Sequence, residues 1–399
     1  MTSSVTIVIP TRNRASLAIA AIRSLLAMDH PRLACIIVSN NSSDPAQAGA
    51  LAQYCEAIGD PRLIHIAPPR ALGMADHWDW ATQQALERSA TSHFALHYDR
   101  RISLPDFALA LDLTARWPER PITYLLDILY PALGRFFVRQ TPWSGGLFEI
   151  ATRRALDLAS QGLLTGLWQA FPVLVNCLTP RSVLERVRDR FGSICASTSP
   201  ESCFGFRFAA IAETYLHLDR ALGIHYGYGD SNGMGYMRGD VSGTFGDFMR
   251  LHGDRPWLDA APIPGFSLGQ NSFYHEYALV QREAGSERFP PIDRAGYLAD
   301  IAGGLAWIAD PGPRAAAEEV LRRHGWDGSP GPVVPAIPPP APFAVRARRW
   351  RADHLRVSAE DLATTGLKSE PRALHWAKRL RVPATPGGQL QPLNPRPLD

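Results

Sequence analysis

The chain has 399 residues, of which 46% are hydrophobic and 20% charged, and its formal net charge is +3. This length allows one large domain or two ordinary ones, and the hydrophobic content suits a soluble globular core. No run of about 18 apolar residues predicts a membrane-spanning helix, and the N-terminus has no pattern of a secretion signal. The five cysteines include no Cys-x-x-Cys pair, so we expect a reduced, cytoplasmic protein without a zinc knuckle.

Short apolar runs alternate with helical patterns through the first third of the chain. Strands are predicted at 5–9, 34–38, 62–66, 94–98 and 122–126, with a helix after each of the first four. Asp44 and Pro45 are expected to start the second helix, which ends near Gly59, and Asp76 is expected to cap the third. This alternation predicts an α/β fold with a doubly wound, mostly parallel sheet flanked by helices.

In the middle of the chain, the sequence pattern predicts helices separated by loops. One helix is expected to follow Thr179-Pro180 and to end at Gly192, and a second to run from about Phe206 to Leu222. The glycine-rich segment from Gly227 to Gly246 predicts a loop. A helical pattern returns over 293–325.

Small polar residues follow the first two predicted strands directly. The first segment reads Val5-Thr-Ile-Val-Ile-Pro-Thr-Arg-Asn-Arg14 and the second Ile36-Ile-Val-Ser-Asn-Asn-Ser-Ser-Asp44. Together they resemble family-2 glycosyltransferases of the GT-A fold, whose first strand ends in Pro-Thr/Ser-x-Asn-Arg and whose second ends in Ser/Asp-Asn-x-Ser-x-Asp. Segments at 72–78, 197–202 and 229–233 extend this resemblance over roughly residues 4–245.

The resemblance implies a pocket for the nucleoside of an activated sugar at the ends of these strands. The residues expected to line this pocket are Pro10, Thr11, Asn13, Arg14, Ser39, Asn40 and Asp44. Two of these assignments have alternatives. Asp44 is also a candidate helix cap, and Arg14 a candidate solvated residue on the first helical turn.

The family's metal-binding acids are largely replaced in this chain. The fourth strand should end in an acidic cluster that holds Mg²⁺ or Mn²⁺ against the diphosphate, but the stretch reads His97-Tyr-Asp-Arg-Arg-Ile-Ser-Leu-Pro105. A metal held by Asp99 alone is therefore doubted. Guanidinium groups bind phosphate oxygens directly, which predicts that Arg101 or Arg100 replaces the cation, with Arg101 preferred. Neighbours on an extended strand face opposite ways, so one of the two is expected to do so; the alternative is that both are solvated and the enzyme is degenerate.

The reaction implied by the resemblance is inverting transfer of a sugar from a nucleoside-diphosphate donor, UDP-linked for example. The acceptor would be a hydroxyl of a glycan, a lipid-linked molecule or a peptide, deprotonated by a carboxylate. Glu201 is the candidate base and Asp230 the second choice, although Glu201 could instead cap a helix and Asp230 make a turn. The alternative functions are a non-catalytic sugar-nucleotide-binding relative and, ranked last, a nucleotidyltransferase.

Four regions are expected along the chain. Residues 1–255 form the nucleotide-sugar-binding and catalytic domain, 256–327 a helical C-terminal extension that packs on it, 328–342 a proline-rich linker, and 343–399 a basic tail. From Ala341 onward, eleven Arg and Lys residues outnumber five Asp and Glu. Such a tail could rest on anionic lipid at the inner membrane, remain disordered, or contact another copy of the chain. No motif predicts nucleic-acid binding.

Overall fold

The computed structural model describes residues 3–132, 135–139, 147–163, 170–226, 232–237, 243–285, 287–308, 310–329 and 354–357. Within these residues, eleven strands form one mixed sheet. The strands are β1 (Val5–Thr11), β2 (Leu33–Asn40), β3 (Leu63–Ile66), β4 (His93–Leu96), β5 (Arg101–Ser103), β6 (Ile122–Ala132), β7 (Arg135–Arg139), β8 (Leu147–Ala151), β9 (Cys177–Pro180), β10 (Thr214–Tyr226) and β11 (His354–Val357).

The first half of the sheet is parallel, in the order β3-β2-β1-β4. Four helices connect and follow these strands: α1 (Ala15–Leu26), α2 (Pro45–Ile58), α3 (Met74–Arg88) and α4 (Phe107–Arg116). Every residue of β1 is buried, because helices cover both faces of the sheet. This half confirms the predicted doubly wound α/β arrangement.

The second half of the sheet is mixed. β9 lies antiparallel between β4 and β6, and β10 runs parallel to β6 but antiparallel to β5 and β8. At the far edge, β7 pairs antiparallel with both β6 and β11. β10 therefore joins the short strand after β4 to the rest of the sheet.

The remaining helices follow from the middle of the chain onward. They are α5 (Thr152–Leu158), α6 (Arg181–Phe191), α7 (Pro200–Ile211), α8 (Asn232–Met237), α9 (Gly243–His252), α10 (Asn271–Ala284), α11 (Arg294–Ala302) and α12 (Pro311–Arg323). α11 and α12 lie within the helical pattern predicted over 293–325. None of the helices described has the length and apolarity needed to cross a bilayer.

Two hydrophobic cores lie on opposite faces of the sheet. One face of β1, with Val5, Ile7 and Ile9, packs against α1 and α4. The other face, with Val8, packs with α3, α7 and α10 to α12. The C-terminal helices thus share a core with the sheet, although the predicted domain boundaries themselves stay a prediction.

Three predicted elements differ from the structure. The helix expected from Phe206 to Leu222 is instead α7 followed by β10, and the predicted loop from Gly227 to Gly246 contains α8 and the start of α9. Asp76 lies in the first turn of α3, whose N-cap is Gly73, so it is not the cap. The linker beyond residue 329 and most of the basic tail lie outside the described residues.

Candidate active site

A cavity of about 500 Å³ opens beyond the carboxyl ends of β1 and β4. The chain order of the strands reverses between these two, which is where open α/β sheets place their ligands. The loops after β1 and β4, the start of α7 and the segment from α8 to α10 form its walls. Its charged side chains are Arg12, Arg14, Asp99, Arg100, Glu201 and Asp247.

The Asp99 carboxylate is surrounded by one hydroxyl group and two guanidinium groups. The hydroxyl of Thr11 donates a hydrogen bond of 2.9 Å to Asp99 Oδ2, and Arg14 Nη1 lies 3.6 Å from the same oxygen. Arg100 Nε lies 3.9 Å from Asp99 Oδ1. The carboxylate is 4% exposed, so these neighbours are its main electrostatic partners. The loops after β1 and β4 are thereby joined inside the cavity.

This donor set does not fit a divalent cation. Mg²⁺ and Mn²⁺ need several oxygen ligands, and the one carboxylate at this position is already neutralised by Arg14 and Arg100. Across the residues that the structure describes, no three His, Cys, Asp or Glu side chains group as metal ligands. A metal site through Asp99 therefore has no support from its surroundings.

Arg101, the arginine preferred from sequence, faces away from the cavity. It is fully buried, and its Nη1 donates to the hydroxyl of Tyr124 at 2.9 Å and to the carbonyl of Val175 at 3.1 Å. A Cβ on Gly223 would lie 2.8 Å from Arg101 Nε, so glycine is needed where β10 crosses this side chain. The choice between the two arginines is thus corrected: Arg100 lines the cavity and Arg101 belongs to the core.

The loop after β1 lines the cavity as expected. Pro10, Thr11, Asn13 and Arg14 all contribute to its wall. Asn13 adopts a left-handed conformation (φ +54°), and its Oδ1 accepts hydrogen bonds from the backbone amides of Ser43 and Asp44 at 2.9 and 3.0 Å. Asn13 therefore fixes the loop after β1 against the loop after β2.

The residues predicted at the end of β2 make structural contacts outside the cavity lining. The Ser39 hydroxyl is hydrogen-bonded to His77 Nε2 at 2.8 Å, and Asn40 Nδ2 donates to the Ala48 carbonyl at 3.1 Å. Asp44 caps α2, accepting from the Ala46 amide at 2.8 Å. None of these three predicted residues lines the cavity, and the alternative of Asp44 as a helix cap is confirmed.

Two cavity residues beside this loop were not predicted as site residues. Arg12 Nε donates to Asp247 Oδ2 of α9 at 2.9 Å, and Arg12 Nη1 donates to the Asn41 carbonyl at 2.7 Å. Arg12 lies in the family-like segment, but its partner follows 235 positions later. No sequence signal connects them. The pair ties α9 to the loops at the ends of β1 and β2.

Two histidines line the cavity in their neutral form. Burial, reinforced by the charge of Arg12, lowers the pKa of His77 to about 3. Burial also lowers the pKa of His225 well below its usual value, and the charges of Arg100, Arg101 and Arg14 add to this effect. The His225 ring lies 4.5 Å from that of Tyr98. Neither histidine therefore adds positive charge to the cavity at neutral pH.

Glu201 reaches the cavity from the first turn of α7. Burial raises its pKa to about 7, while a hydrogen bond with its own backbone amide and the charge of Arg100 act in the opposite direction. A carboxyl with this pKa exchanges protons readily near neutral pH. Glu201 therefore combines a position on the cavity wall with the proton affinity of a general base. Asp230, the second candidate, lies outside the described residues.

Comparison with known proteins gives one sequence match. Residues 6–88 match the family described as glycosyl transferase family 2. No curated protein matches the sequence. The matched residues include the loop after β1 and the end of β2, which carried the resemblance seen in the sequence.

Many solved structures show a distant likeness, and three of them are described here. A crystal structure of S. aureus TarS 1–349 is 10% identical with a TM-score of 0.43, covering 80% of this chain and 87% of that one. The same protein in complex with UDP-GlcNAc is 11% identical with a TM-score of 0.43, covering 80% and 88%. The mannosyltransferase PcManGT from Pyrobaculum calidifontis, in complex with GDP-Man and Mn²⁺, is 14% identical with a TM-score of 0.41, covering 81% and 80%.

Proposed function

We propose that this chain is a family-2 glycosyltransferase-like protein, which the match of residues 6–88 to the glycosyl transferase family 2 supports, and that it transfers a sugar with inversion from a nucleoside-diphosphate donor. The acceptor is a hydroxyl of a glycan, a lipid-linked molecule or a peptide. One observation carries the proposal. Arg14, Arg100 and Glu201 line the same cavity at the switch point of the sheet.

In this proposal, Arg14 and Arg100 hold the diphosphate of the donor. Both guanidinium groups lie within 4 Å of Asp99, which keeps them on the same side of the cavity. A guanidinium binds phosphate oxygens through directed, charge-assisted hydrogen bonds and stabilises the negative charge that develops on the leaving diphosphate. Asp99 orients the two arginines and takes no part as a metal ligand.

Glu201 supplies the base for the attacking hydroxyl. As the acceptor oxygen forms its bond to the anomeric carbon, the bond from that carbon to the phosphate oxygen breaks, and the acceptor proton passes to the Glu201 carboxylate. The products are the glycosylated acceptor, the nucleoside diphosphate and a protonated Glu201. A pKa of about 7 leaves a substantial carboxylate fraction at neutral pH and makes the group basic enough to accept the proton.

Donor turnover tests this function. Purified protein is incubated with a panel of UDP- and GDP-sugars, with and without a mixture of glycan acceptors, and the released nucleoside diphosphate is measured. We expect release by the wild-type protein and its loss in Glu201→Ala, with nucleotide affinity retained. Glu319→Ala, on the exposed face of α12, is the matched control.

Two results would contradict the proposal. Release that is unaffected by Glu201→Ala would show that Glu201 is not the base. Tight nucleotide binding without release from any donor would instead favour the non-catalytic sugar-nucleotide-binding relative, a candidate raised by the loss of the acidic cluster after β4.

The membrane contact and the cytoplasmic location remain predictions. A basic tail on a protein with a lipid-linked acceptor would bind anionic headgroups through its arginines. Flotation with phosphatidylserine-containing vesicles tests this contact by comparing the full chain with a version that ends at Pro340. Equal flotation of the two would contradict a role for the tail.

A further inference from the structure

We propose that Glu276 of α10 is a positioning residue for Glu201, an inference that rests on the catalytic role proposed above. Glu276 is fully buried, and its Oε1 accepts three hydrogen bonds. The donors are the Thr198 amide at 3.0 Å, the Thr198 hydroxyl at 3.0 Å and the Ser199 amide at 2.9 Å. These donors immediately precede α7, the helix whose first turn carries Glu201.

The same loop has a second attachment to α10. Ser197 has a left-handed backbone (φ +64°), which is uncommon for a residue other than glycine. Its hydroxyl is hydrogen-bonded to His275 Nε2 at 2.9 Å, and the Ala260 amide donates to His275 Nδ1 at 3.1 Å. Side chains from two consecutive positions of α10 thus hold the loop in a conformation that the backbone alone does not favour.

The two segments joined by this attachment, the loop at 197–199 and helix α10, both reach the cavity wall. Thr198, Ser199 and Glu201 line the cavity, as do Ser272 and Phe273 from the first turn of α10. Glu276 lies about one turn further along that helix and does not line the cavity itself. It therefore acts on the reaction through the placement of the loop, and its loss should move Glu201 relative to the donor.

A small displacement of a base has a large kinetic cost. A shift of about 1 Å can lower the rate about 100-fold, so we expect Glu276→Ala to reduce kcat by about 10- to 100-fold. The KM for the donor should stay within about twofold, because Arg14 and Arg100 are unaffected. Glu276→Gln keeps an oxygen that accepts the three hydrogen bonds, and should retain most of the turnover.

The matched control removes a different contact between the same two helices. Glu283 of α10 pairs with Arg207 of α7 at 3.3 Å and does not touch the loop at 197–199. Glu283→Ala should leave kcat near the wild-type value. If Glu276→Ala does not fold, Thr198→Val removes one of the three hydrogen bonds and should give a smaller decrease in kcat and faster exchange of the Ser199 amide.

Hydrogen exchange supplies a readout that is independent of turnover. The amides of Thr198 and Ser199 should exchange faster in Glu276→Ala but not in Glu276→Gln or Glu283→Ala. Wild-type kcat and exchange in Glu276→Ala, or equal losses of kcat in Glu276→Ala and Glu283→Ala, would overturn the inference. A wild-type protein without turnover would instead overturn the proposed function, while the exchange data would still show whether Glu276 holds the loop.

Discussion

At the scale of single residues, the neighbours of Asp99 are a hydroxyl and two guanidinium groups and not a set of metal ligands. Its two oxygens face Thr11, Arg14 and Arg100, so its negative charge orders two positive groups at the cavity wall. Two guanidinium groups and one carboxylate leave a net positive charge at this part of the cavity wall. In the proposed function, a diphosphate approaching this surface would meet guanidinium groups that are already oriented, which would lower the entropic cost of binding.

Arg100 gives the first prediction. Arg100→Gln should weaken binding of a nucleoside-diphosphate sugar by about 10- to 100-fold, because a charge-assisted hydrogen bond contributes about 1.5–3 kcal/mol. Isothermal titration calorimetry measures this directly, and the corresponding nucleoside should lose much less affinity. Arg314→Gln on α12 is the control for loss of an exposed arginine. Equal affinities of Arg100→Gln and the wild-type protein would contradict contact with the diphosphate.

Glu201 gives a prediction about pH. Its pKa is about 7 in the folded protein, above the ordinary value of 4.5, so between these values the folded state holds a proton that the unfolded state has released. Stability from this group is therefore present below pH 4.5 and is lost as the pH rises through 7. Glu201→Gln does not titrate, and should be more stable than the wild-type protein at pH 8 by on the order of 2 kcal/mol.

Urea unfolding of both proteins at pH 5 and pH 8 measures this difference. The advantage of Glu201→Gln should shrink markedly at pH 5, where the wild-type carboxyl is largely protonated in the folded state. A pH-independent difference would show that the pKa of Glu201 is not raised.

The arginine pair also shows how far residue-level reasoning extends. Arg100 and Arg101 do lie on different sides, but Arg100 is in a turn between β4 and β5, so this outcome does not come from the strand alternation that the sequence argument assumes. Alternation also leaves a second question unanswered. It does not tell which of them faces the ligand, because that depends on Tyr124 and Val175, which are distant in sequence. Asp44 is the contrasting case, since its role as a cap depends on a neighbour two positions away.

At the scale of elements, α7 is packed closely enough to require a glycine. A Cβ on Gly205 would lie 2.6 Å from Phe171 Cε1 and 3.3 Å from the Pro172 carbonyl oxygen. Gly49, in α2, would meet nothing within 4 Å. The two helical glycines therefore separate the effect of packing from the effect of helix propensity.

Alanine at these two positions should have opposite effects. Gly49→Ala should raise the free energy of unfolding by about 0.5–1 kcal/mol, because alanine restricts the unfolded chain and favours the helix. Gly205→Ala gains the same propensity but overpacks the core, and should lower the free energy of unfolding by about 1–3 kcal/mol. Urea titration of both variants at one pH tests this. Stabilisation by both would show that Phe171 moves aside at little cost.

The element that sequence reasoning missed lies directly after α7. The sequence interpretation continues the helix of α7 through the residues of β10. In the structure, Leu216, His217 and Leu218 are all buried, so burial along this strand does not alternate. Short apolar runs of this kind fit a buried helix or a central strand equally well. Pairing decides between them, and β10 pairs with β5, β6 and β8. By contrast, the parallel strands β1 to β4 are separated by helices with clear periodicity, one of which has a side-chain cap, and the sequence predicts them.

At the scale of the whole molecule, the cavity combines distant parts of the chain. Asp99 and Arg100 follow the fourth strand, Glu201 begins a helix of the second half, and Asp247 comes from a segment later still. The first half supplies the positive charge at the end of the sheet, and the second half supplies the candidate base. The family resemblance identifies the loops after β1 and β4. The rest of the cavity wall depends on contacts between the two halves of the chain, such as that of Arg12 with Asp247.

This arrangement predicts that donor binding and turnover do not require a divalent metal ion. Because Arg14 and Arg100 supply the positive charge, donor affinity and turnover should agree within about twofold in EDTA and in Mn²⁺, and both should weaken as salt screens the ion pairs. Calorimetry in each buffer measures the affinity, with a metal-dependent family-2 enzyme as a parallel control.

Arg100→Asp offers a control from the chain itself, since it replaces a guanidinium by a second carboxylate beside Asp99. Its donor binding should fall in EDTA and recover in part with Mn²⁺. Loss of wild-type binding in EDTA would instead indicate a divalent ion at Asp99, and would contradict the proposal that Arg14 and Arg100 replace it.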